Sequence, residues 1–166
     1  MTWVYAVIGI VVALLLVFVI IPVIRAVRFR PKKEKTYPDF PVQFDEDKAV
    51  SDLAEMIRCK TVSDTDESLE DDAEFEKFEA LLPRLFPKVH ETCEFTKLSK
   101  RSLLFRWKGK DSSKARVLMA HYDVVSVEQS LWQKPAFDAI IEDGVLWGRA
   151  TLDTKGPLNG VLQAAE

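Results

Sequence analysis

The sequence predicts an α/β domain that is preceded by one transmembrane helix. Residues 3–24 form an apolar run without a single charged side chain. Apolar residues then recur at helical spacing within residues 49–57 and again within residues 75–85. Three further runs have the length and composition of strands, at residues 94–98, 103–107 and 117–120. Helical and strand patterns on one chain indicate an α/β architecture.

The apolar run at the amino terminus predicts a membrane anchor. Its 22 residues, 3–24, exceed the length of about 20 that a helix needs to cross a bilayer core. A cleaved signal peptide is the competing interpretation, but it would have a basic leading segment and a shorter apolar core. We therefore divide the chain into an anchor (1–24), a basic juxtamembrane segment with a proline-containing linker (25–43) and a folded domain (44–166).

Basic residues follow the anchor directly. They are Arg25, Arg28, Arg30, Lys32, Lys33 and Lys35. The positive-inside tendency predicts that the folded domain faces the cytoplasm, although a long domain can be translocated against such a bias, so a lumenal or extracellular position stays open. The cluster also predicts that residues 1–35 contact membrane lipid. A nucleic-acid partner is excluded, because 17 basic residues face 25 acidic ones from Thr36 onward.

The folded domain begins with two predicted amphipathic helices. Asp45 is the expected N-cap of the first, since its side chain can accept from a free backbone N–H. The acidic stretch between the helices, residues 63–72, lacks the ligand spacing and the glycine of a calcium loop, so we interpret it as a solvated loop. Cys59 and Cys93 have no C-x-x-C partner and are expected to be small buried thiols.

A candidate site lies at the end of the predicted strand at residues 117–120. His121 and Asp123 are two residues apart, so on a strand their side chains project to the same side. A neutral imidazole is a good zinc ligand, and a neighbouring carboxylate can hold its other ring nitrogen. A lone H-x-D pattern also arises by chance. Downstream, Asp143 and Gly144 predict a hairpin turn, and Asp153 is expected in a loop ahead of a helix.

The order of residues from 117 to 166 resembles one protein family. It reads H-Y-D-V-V from His121, then Trp132, Pro135 and Phe137, then D-G-x-L-W-G-R-A-x-x-D-x-K-G. This pattern is similar to the zinc metallopeptidase family of aminoacylase, succinyl-diaminopimelate desuccinylase and carboxypeptidase S. The nearest branch is that of carboxypeptidase S and the N-acyl amino acid hydrolases. Trp132, Pro135 and Phe137 either line a pocket or pack their loop against the domain.

The resemblance implies a fold, a site and partners. The fold is the amino-terminal part of a zinc-exopeptidase-like domain, with a mixed sheet flanked by helices. His121 and Asp153 match metal ligands, with Asp153 bridging two zinc ions, and Asp123 matches the catalytic-site carboxylate that orients His121. The resemblance also implies a cis peptide bond between Asp153 and Thr154, and a homodimer formed through a domain absent from this chain.

Three positions depart from the family pattern. Ala150 stands where glycine is common, Ser126 where proline is frequent and Ala136 where a second proline is usual. An alanine in place of a loop glycine is harmless only if φ there is negative. The family's remaining carboxylates and final histidine would lie beyond Glu166.

The sequence therefore predicts a membrane-anchored, zinc-dependent hydrolase of peptide or N-acyl amino acid amide bonds. It would be a metallopeptidase or amidohydrolase of carboxypeptidase, dipeptidase or aminoacylase type. Residues 44–166 are expected to be an incomplete catalytic domain that is inactive alone. The alternative is a non-catalytic, membrane-tethered binding module of the same fold.

Overall fold

A computed structural model of the chain describes residues 2–29 and 43–166. The chain divides into two compact units, Met1–Val42 and Gln43–Glu166. The predicted basic residues from Arg30 to Lys35 and the proline-containing linker lie outside the described residues.

The first unit contains one helix, α1 (Thr2–Arg28), of 27 residues. All of its side chains are exposed, and a window of 18 residues has a mean hydropathy of 3.4. At about 1.5 Å per residue the helix is roughly 40 Å long, which exceeds a hydrocarbon core of about 30 Å. Helix α1 is thus long and apolar enough to cross a membrane, and a signal sequence near the amino terminus would meet the same criterion.

The second unit holds four helices among its described residues. They are α2 (Glu46–Ile57), α3 (Asp72–Leu85), α4 (Pro87–Thr92) and α5 (Lys155–Ala165). The predicted N-cap of α2 is confirmed, because the Asp45 carboxylate accepts from the backbone N–H of Lys48 at 2.9 Å. The acidic loop between α2 and α3 contains a short 3₁₀ turn, Glu67–Leu69, that is largely exposed.

The core of this unit forms where α2, α3, α4 and α5 meet. Met56, Phe78 and Phe86 are fully buried at its centre. Cys59 is a buried free thiol, as predicted, whereas the free thiol of Cys93 is only half-buried. The remaining buried members of the core are Leu81, Leu82, Leu85, Val89 and Leu162. The two predicted helical stripes are therefore core faces.

The strands form two separate antiparallel hairpins. The first pairs β1 (Glu94–Lys97) with β2 (Leu103–Arg106), and the second pairs β3 (Ile140–Glu142) with β4 (Val145–Trp147). The first hairpin lies where the sequence predicted strands, and the second surrounds the predicted turn at Asp143 and Gly144. The α/β class is confirmed, but the described strands form two small sheets rather than one mixed sheet.

The prediction of a buried strand at residues 117–120 is wrong. No strand is assigned there, and Val117, Leu118 and Met119 are 80%, 74% and 89% exposed. An apolar run forms a buried strand only when neighbouring strands accept its backbone hydrogen bonds and cover its faces. Neither hairpin of the described chain pairs with this segment. The sequence pattern of residues 117–120 is typical of a strand, but these residues have no neighbouring strand to pair with in the described part of the chain.

The hairpin turn between β3 and β4 yields a test of backbone strain. Gly144 has a φ of +75°, and an added Cβ there would meet no atom within 4 Å. The same open space surrounds Gly160, which lies on the exposed side of α5. We expect Gly144→Ala to lower the free energy of unfolding by about 1 kcal/mol, because alanine disfavours left-handed backbone. Gly160→Ala should raise it by about 0.5–1 kcal/mol, because alanine favours helix.

Urea denaturation of both variants, followed by tryptophan fluorescence, measures these changes. Neither added methyl group clashes with another atom. Opposite signs of the change in the free energy of unfolding would therefore report the backbone conformation at each position. Equal shifts of one sign would contradict the positive φ at the hairpin turn.

Candidate active site

The segment that carries His121 and Asp123 is held by a short parallel contact with residues 61–63. The backbone N–H of Val124 donates to the carbonyl oxygen of Thr61 at 2.8 Å, and Ser63 N–H donates to the carbonyl oxygen of Val124 at 2.9 Å. The Thr61 hydroxyl also donates to the carbonyl oxygen of Tyr122 at 2.5 Å. These bonds fix the backbone on which both candidate residues lie.

Tyr122 lies between the two candidate residues and points into the core. Its ring stacks on Phe78 with centroids 4.7 Å apart, and its hydroxyl donates to the carbonyl oxygen of Arg101 at 2.7 Å. Burial raises the pKa of Tyr122, so its hydroxyl stays protonated. With Tyr122 inward, His121 and Asp123 project together to the other side. Their predicted common direction is therefore observed although the preceding strand is not.

Asp153 completes a row of three side chains. The Nε2 atom of His121 lies 3.1 Å from Oδ1 of Asp153, and its Nδ1 atom lies 3.2 Å from Oδ1 of Asp123. Nδ1 is also 2.9 Å from the backbone carbonyl oxygen of Asp123. Asp153 lies in a turn immediately before α5, as predicted, and the peptide bond between Asp153 and Thr154 is cis, as the resemblance implied. The structure thus brings the three candidate residues together.

The contacts of His121 suit a site that holds positive charge. Nδ1 faces two acceptor oxygens of Asp123, so in a neutral imidazole the proton lies on Nδ1. Nε2 then directs its lone pair at the Asp153 carboxylate, and two acceptors repel at 3.1 Å unless a proton or a cation lies between them. A metal ion held by both side chains would remove this repulsion, as would a proton on Nε2. Within residues 2–29 and 43–166, no group of three or more His, Cys, Asp or Glu side chains is arranged to hold one.

Two hydroxyl groups that the sequence analysis did not single out touch the row. Ser63 donates to Oδ2 of Asp123 at 2.8 Å, from a position 60 residues upstream. Thr154 accepts from the backbone N–H of His121 at 2.9 Å and donates to its carbonyl oxygen at 2.5 Å. No motif signals Ser63, since the contact depends on the parallel pairing of distant segments. Thr154 could have been suspected only because it follows Asp153.

Lys155 anchors the other side of the Asp153 turn. Its side chain is fully buried, and Nζ donates to the carbonyl oxygens of Met56 at 3.0 Å and Cys59 at 2.7 Å. These carbonyls lie at the carboxyl end of α2, where the helix dipole favours a cation. Burial lowers the pKa of Lys155 to about 8. The lysine therefore joins the start of α5 to the end of α2.

Two of the family departures have visible consequences. Ala150 has a φ of +75°, so the condition for a harmless change from glycine is not met. The left-handed backbone costs alanine about 1–2 kcal/mol, while a glycine would lose about 0.5–1 kcal/mol in chain entropy and about 0.8 kcal/mol of methyl burial. These contributions nearly balance. At Ala136 the backbone N–H donates to Oε1 of Gln129 at 3.0 Å, a bond that proline cannot make.

The loop that contains Trp132, Pro135 and Phe137 packs against the segment that leads to Asp153. The guanidinium of Arg149 lies 4.9 Å from the ring centroid of Trp132, and Arg149 N–H donates to the carbonyl oxygen of Ala136 at 2.7 Å. This contact favours packing of the loop over the alternative in which Trp132 lines a pocket.

With its fold and its row of chemically active side chains, the second unit has the features of part of an α/β enzyme domain. Residues 117–166 match the model of peptidase family M20/M25/M40. The chain is 34% identical over 163 residues to a probable carboxypeptidase S-like 2 of Dictyostelium discoideum, covering 92% of this chain and 31% of that protein. It is 32% identical over 168 residues to the human N-fatty-acyl-amino acid synthase/hydrolase PM20D1, covering 96% of this chain and 32% of that protein.

A putative carboxypeptidase of Saccharomyces cerevisiae, YOL153C, is 31% identical over 129 residues, which cover 71% of this chain and 22% of that protein. These relatives and the family match agree with each other. The chain carries part of a domain of peptidase family M20/M25/M40, over residues 117–166. It spans about a third or less of the length of these relatives.

The charge arrangement at His121 predicts a measurable titration. The Nδ1 hydrogen bond to the Asp123 carbonyl raises the pKa of His121 above its ordinary 6.5, and the Asp153 side chain acts in the same direction. We expect an NMR titration of the metal-free chain to give a His121 pKa above 6.5. Asp153→Asn should lower that value, because it removes one negative charge beside Nε2.

The sign of the effect on stability follows from this direction. A raised pKa in the folded state stabilises the fold at pH values below the unfolded pKa, and this stabilisation is lost as pH rises through the folded pKa. His121→Gln should remove that part of the pH dependence in urea denaturation. An unchanged His121 titration in Asp153→Asn would contradict the contact between the two side chains.

Proposed function

We propose that the chain is the amino-terminal portion of a membrane-anchored, zinc-dependent hydrolase of peptide or N-acyl amino acid amide bonds. The observation that carries this proposal is the row formed by Asp123, His121 and Asp153, in which Nε2 of His121 lies 3.1 Å from a carboxylate oxygen of Asp153. Membership of the peptidase family supports the hydrolytic chemistry.

Each residue of the row has a proposed role. His121 and Asp153 would hold zinc, through Nε2 and the carboxylate respectively. Asp123 keeps the proton on Nδ1 and thereby directs the Nε2 lone pair toward Asp153. When bound, the metal would polarise an amide carbonyl and favour ionisation of water. We propose two zinc ions for the complete enzyme, with Asp153 between them, by analogy with the family.

The proposed substrates follow from the names of the relatives. Two of the proteins compared above are carboxypeptidases by name, and the human one is an N-fatty-acyl-amino acid synthase/hydrolase. Both names describe an amide bond to an amino acid, so we propose peptides or N-acyl amino acids with a free carboxylate. We also propose, by analogy with the family, that the complete enzyme forms a homodimer.

Helix α1 is proposed to be the membrane anchor. Its side chains are exposed along its whole length, and the basic residues Arg25 and Arg28 lie in its last turn. Basic residues next to a span favour the cytoplasmic side, which places the folded unit there by the same rule. A cleaved signal sequence would instead give a lumenal or extracellular domain.

A second candidate function rests on the exposed apolar segment. Val117, Leu118 and Met119 are at least 74% exposed, and contiguous exposed apolar surface marks a binding site for another polypeptide. A membrane-tethered module that binds a partner through this segment would need no metal. Zinc binding distinguishes the two candidates.

We expect the full chain in detergent to bind zinc weakly, because catalytic zinc sites have three protein ligands and this row offers two. His121→Ala and Asp153→Asn should each weaken that binding by at least about tenfold. Asp143→Asn is the matched control, since Asp143 is an exposed carboxylate in the β3–β4 turn and takes no part in the contacts of the row. Competition with a chromophoric chelator measures the affinities. Equal affinities in all four proteins would refute the proposed ligands.

We also expect this chain alone to hydrolyse neither dipeptides nor N-acyl amino acids, with or without added zinc. The intact mass of the protein extracted from native membranes is the companion measurement. A mass well above 18.9 kDa would show that these residues are part of a longer protein. Robust hydrolysis by the 166-residue chain would overturn the proposal that it is incomplete.

A further inference from the structure

Thr154 makes an unusual pair of contacts across the candidate site. Its hydroxyl accepts from the backbone N–H of His121 at 2.9 Å and donates to the carbonyl oxygen of the same residue at 2.5 Å. Both backbone groups of His121 are thus bonded to one side chain from a position 33 residues further along the chain. Thr154 therefore links the two segments that carry the candidate ligands, in addition to the contact between His121 and Asp153.

Asp153 depends on its neighbours for its position. Its side chain is 84% exposed, so packing does not restrain the carboxylate. The next residue, Thr154, is bonded to His121, and the one after it, Lys155, is buried against the end of α2. Two successive residues thus fix the backbone from which the Asp153 carboxylate projects.

We propose that Thr154 is a positioning residue that holds Asp153 against His121 and thereby sets the zinc affinity of the pair. This inference rests on the proposed function, in which His121 and Asp153 are zinc ligands. The hydroxyl group is the active feature, because a side chain of the same shape without it could neither accept from the N–H nor donate to the carbonyl of His121.

The effect on affinity should exceed the effect on stability. The His121 backbone is partly exposed, so water can replace the lost bonds when the hydroxyl is removed. What is lost is the fixed distance between Nε2 of His121 and Oδ1 of Asp153. Mutation of residues that orient metal ligands typically lowers metal affinity by about 10–100-fold.

The test compares three variants of the full chain in detergent. Thr154→Val removes the hydroxyl while keeping the shape, and Thr154→Ser restores it. Thr151→Val is the matched control, because the Thr151 hydroxyl donates to the carbonyl oxygen of Gly148 at 3.0 Å within the same loop and touches neither candidate ligand. Zinc affinity is measured by chelator competition. Hydrogen exchange of the His121 amide is measured by NMR without metal.

We expect Thr154→Val to lower zinc affinity by about tenfold or more and to speed exchange of the His121 amide. Thr154→Ser should restore both, and Thr151→Val should leave both at the wild-type value while losing a comparable hydrogen bond. This pattern would separate a positioning role from a general loss of stability.

Two results would overturn the inference. Unchanged His121 exchange in Thr154→Val would show that the hydroxyl does not hold the His121 backbone. Faster exchange with unchanged zinc affinity would show that the contact is structural only. Failure of the proposed function gives a different result, in which the wild-type chain binds no zinc although its His121 amide is protected.

Discussion

Within the folded unit, the buried ammonium group of Lys155 joins the start of α5 to the end of α2. Burying a lysine is unfavourable, and its lowered pKa of about 8 reflects that cost. Two carbonyl oxygens at the end of α2 offset the cost by accepting from Nζ. Each carbonyl oxygen also accepts from a backbone N–H, that of Cys59 at 3.2 Å for Met56 and that of Thr61 at 2.9 Å for Cys59, so the lysine is an additional donor to both. The lysine therefore holds the start of α5 against the end of α2.

The candidate site is assembled around that fixed point. Residues 61–63 leave the end of α2 and pair with Val124, which places His121 and Asp123 beside the turn that precedes α5. Thr154, adjacent to the buried lysine, then bonds to His121. Three segments that are distant in sequence thus converge through hydrogen bonds to backbone atoms. Side-chain packing contributes mainly through Tyr122, whose ring stacks on Phe78.

Features that depend on neighbouring residues could be predicted from the sequence. The Asp45 cap, both hairpins and the common direction of His121 and Asp123 follow from local backbone geometry. The meeting of Asp153 with His121 was implied by resemblance to a family and not by spacing. The contact of Ser63 with Asp123 could not be anticipated, because it depends on a parallel pairing between segments about 60 residues apart. The prediction of a strand at residues 117–120 was wrong for the same reason, because neighbouring strands decide whether such a segment is buried.

The exposed segment at residues 117–120 leads directly into His121. A polypeptide that adds a strand along this segment would order the backbone of a proposed zinc ligand at the same time. Thermodynamic linkage makes such an effect reciprocal, so metal at His121 would strengthen the association by the same factor. The affinity of this chain for a strand-forming partner and its affinity for zinc would then be coupled quantities, and neither would be a fixed property of the chain alone.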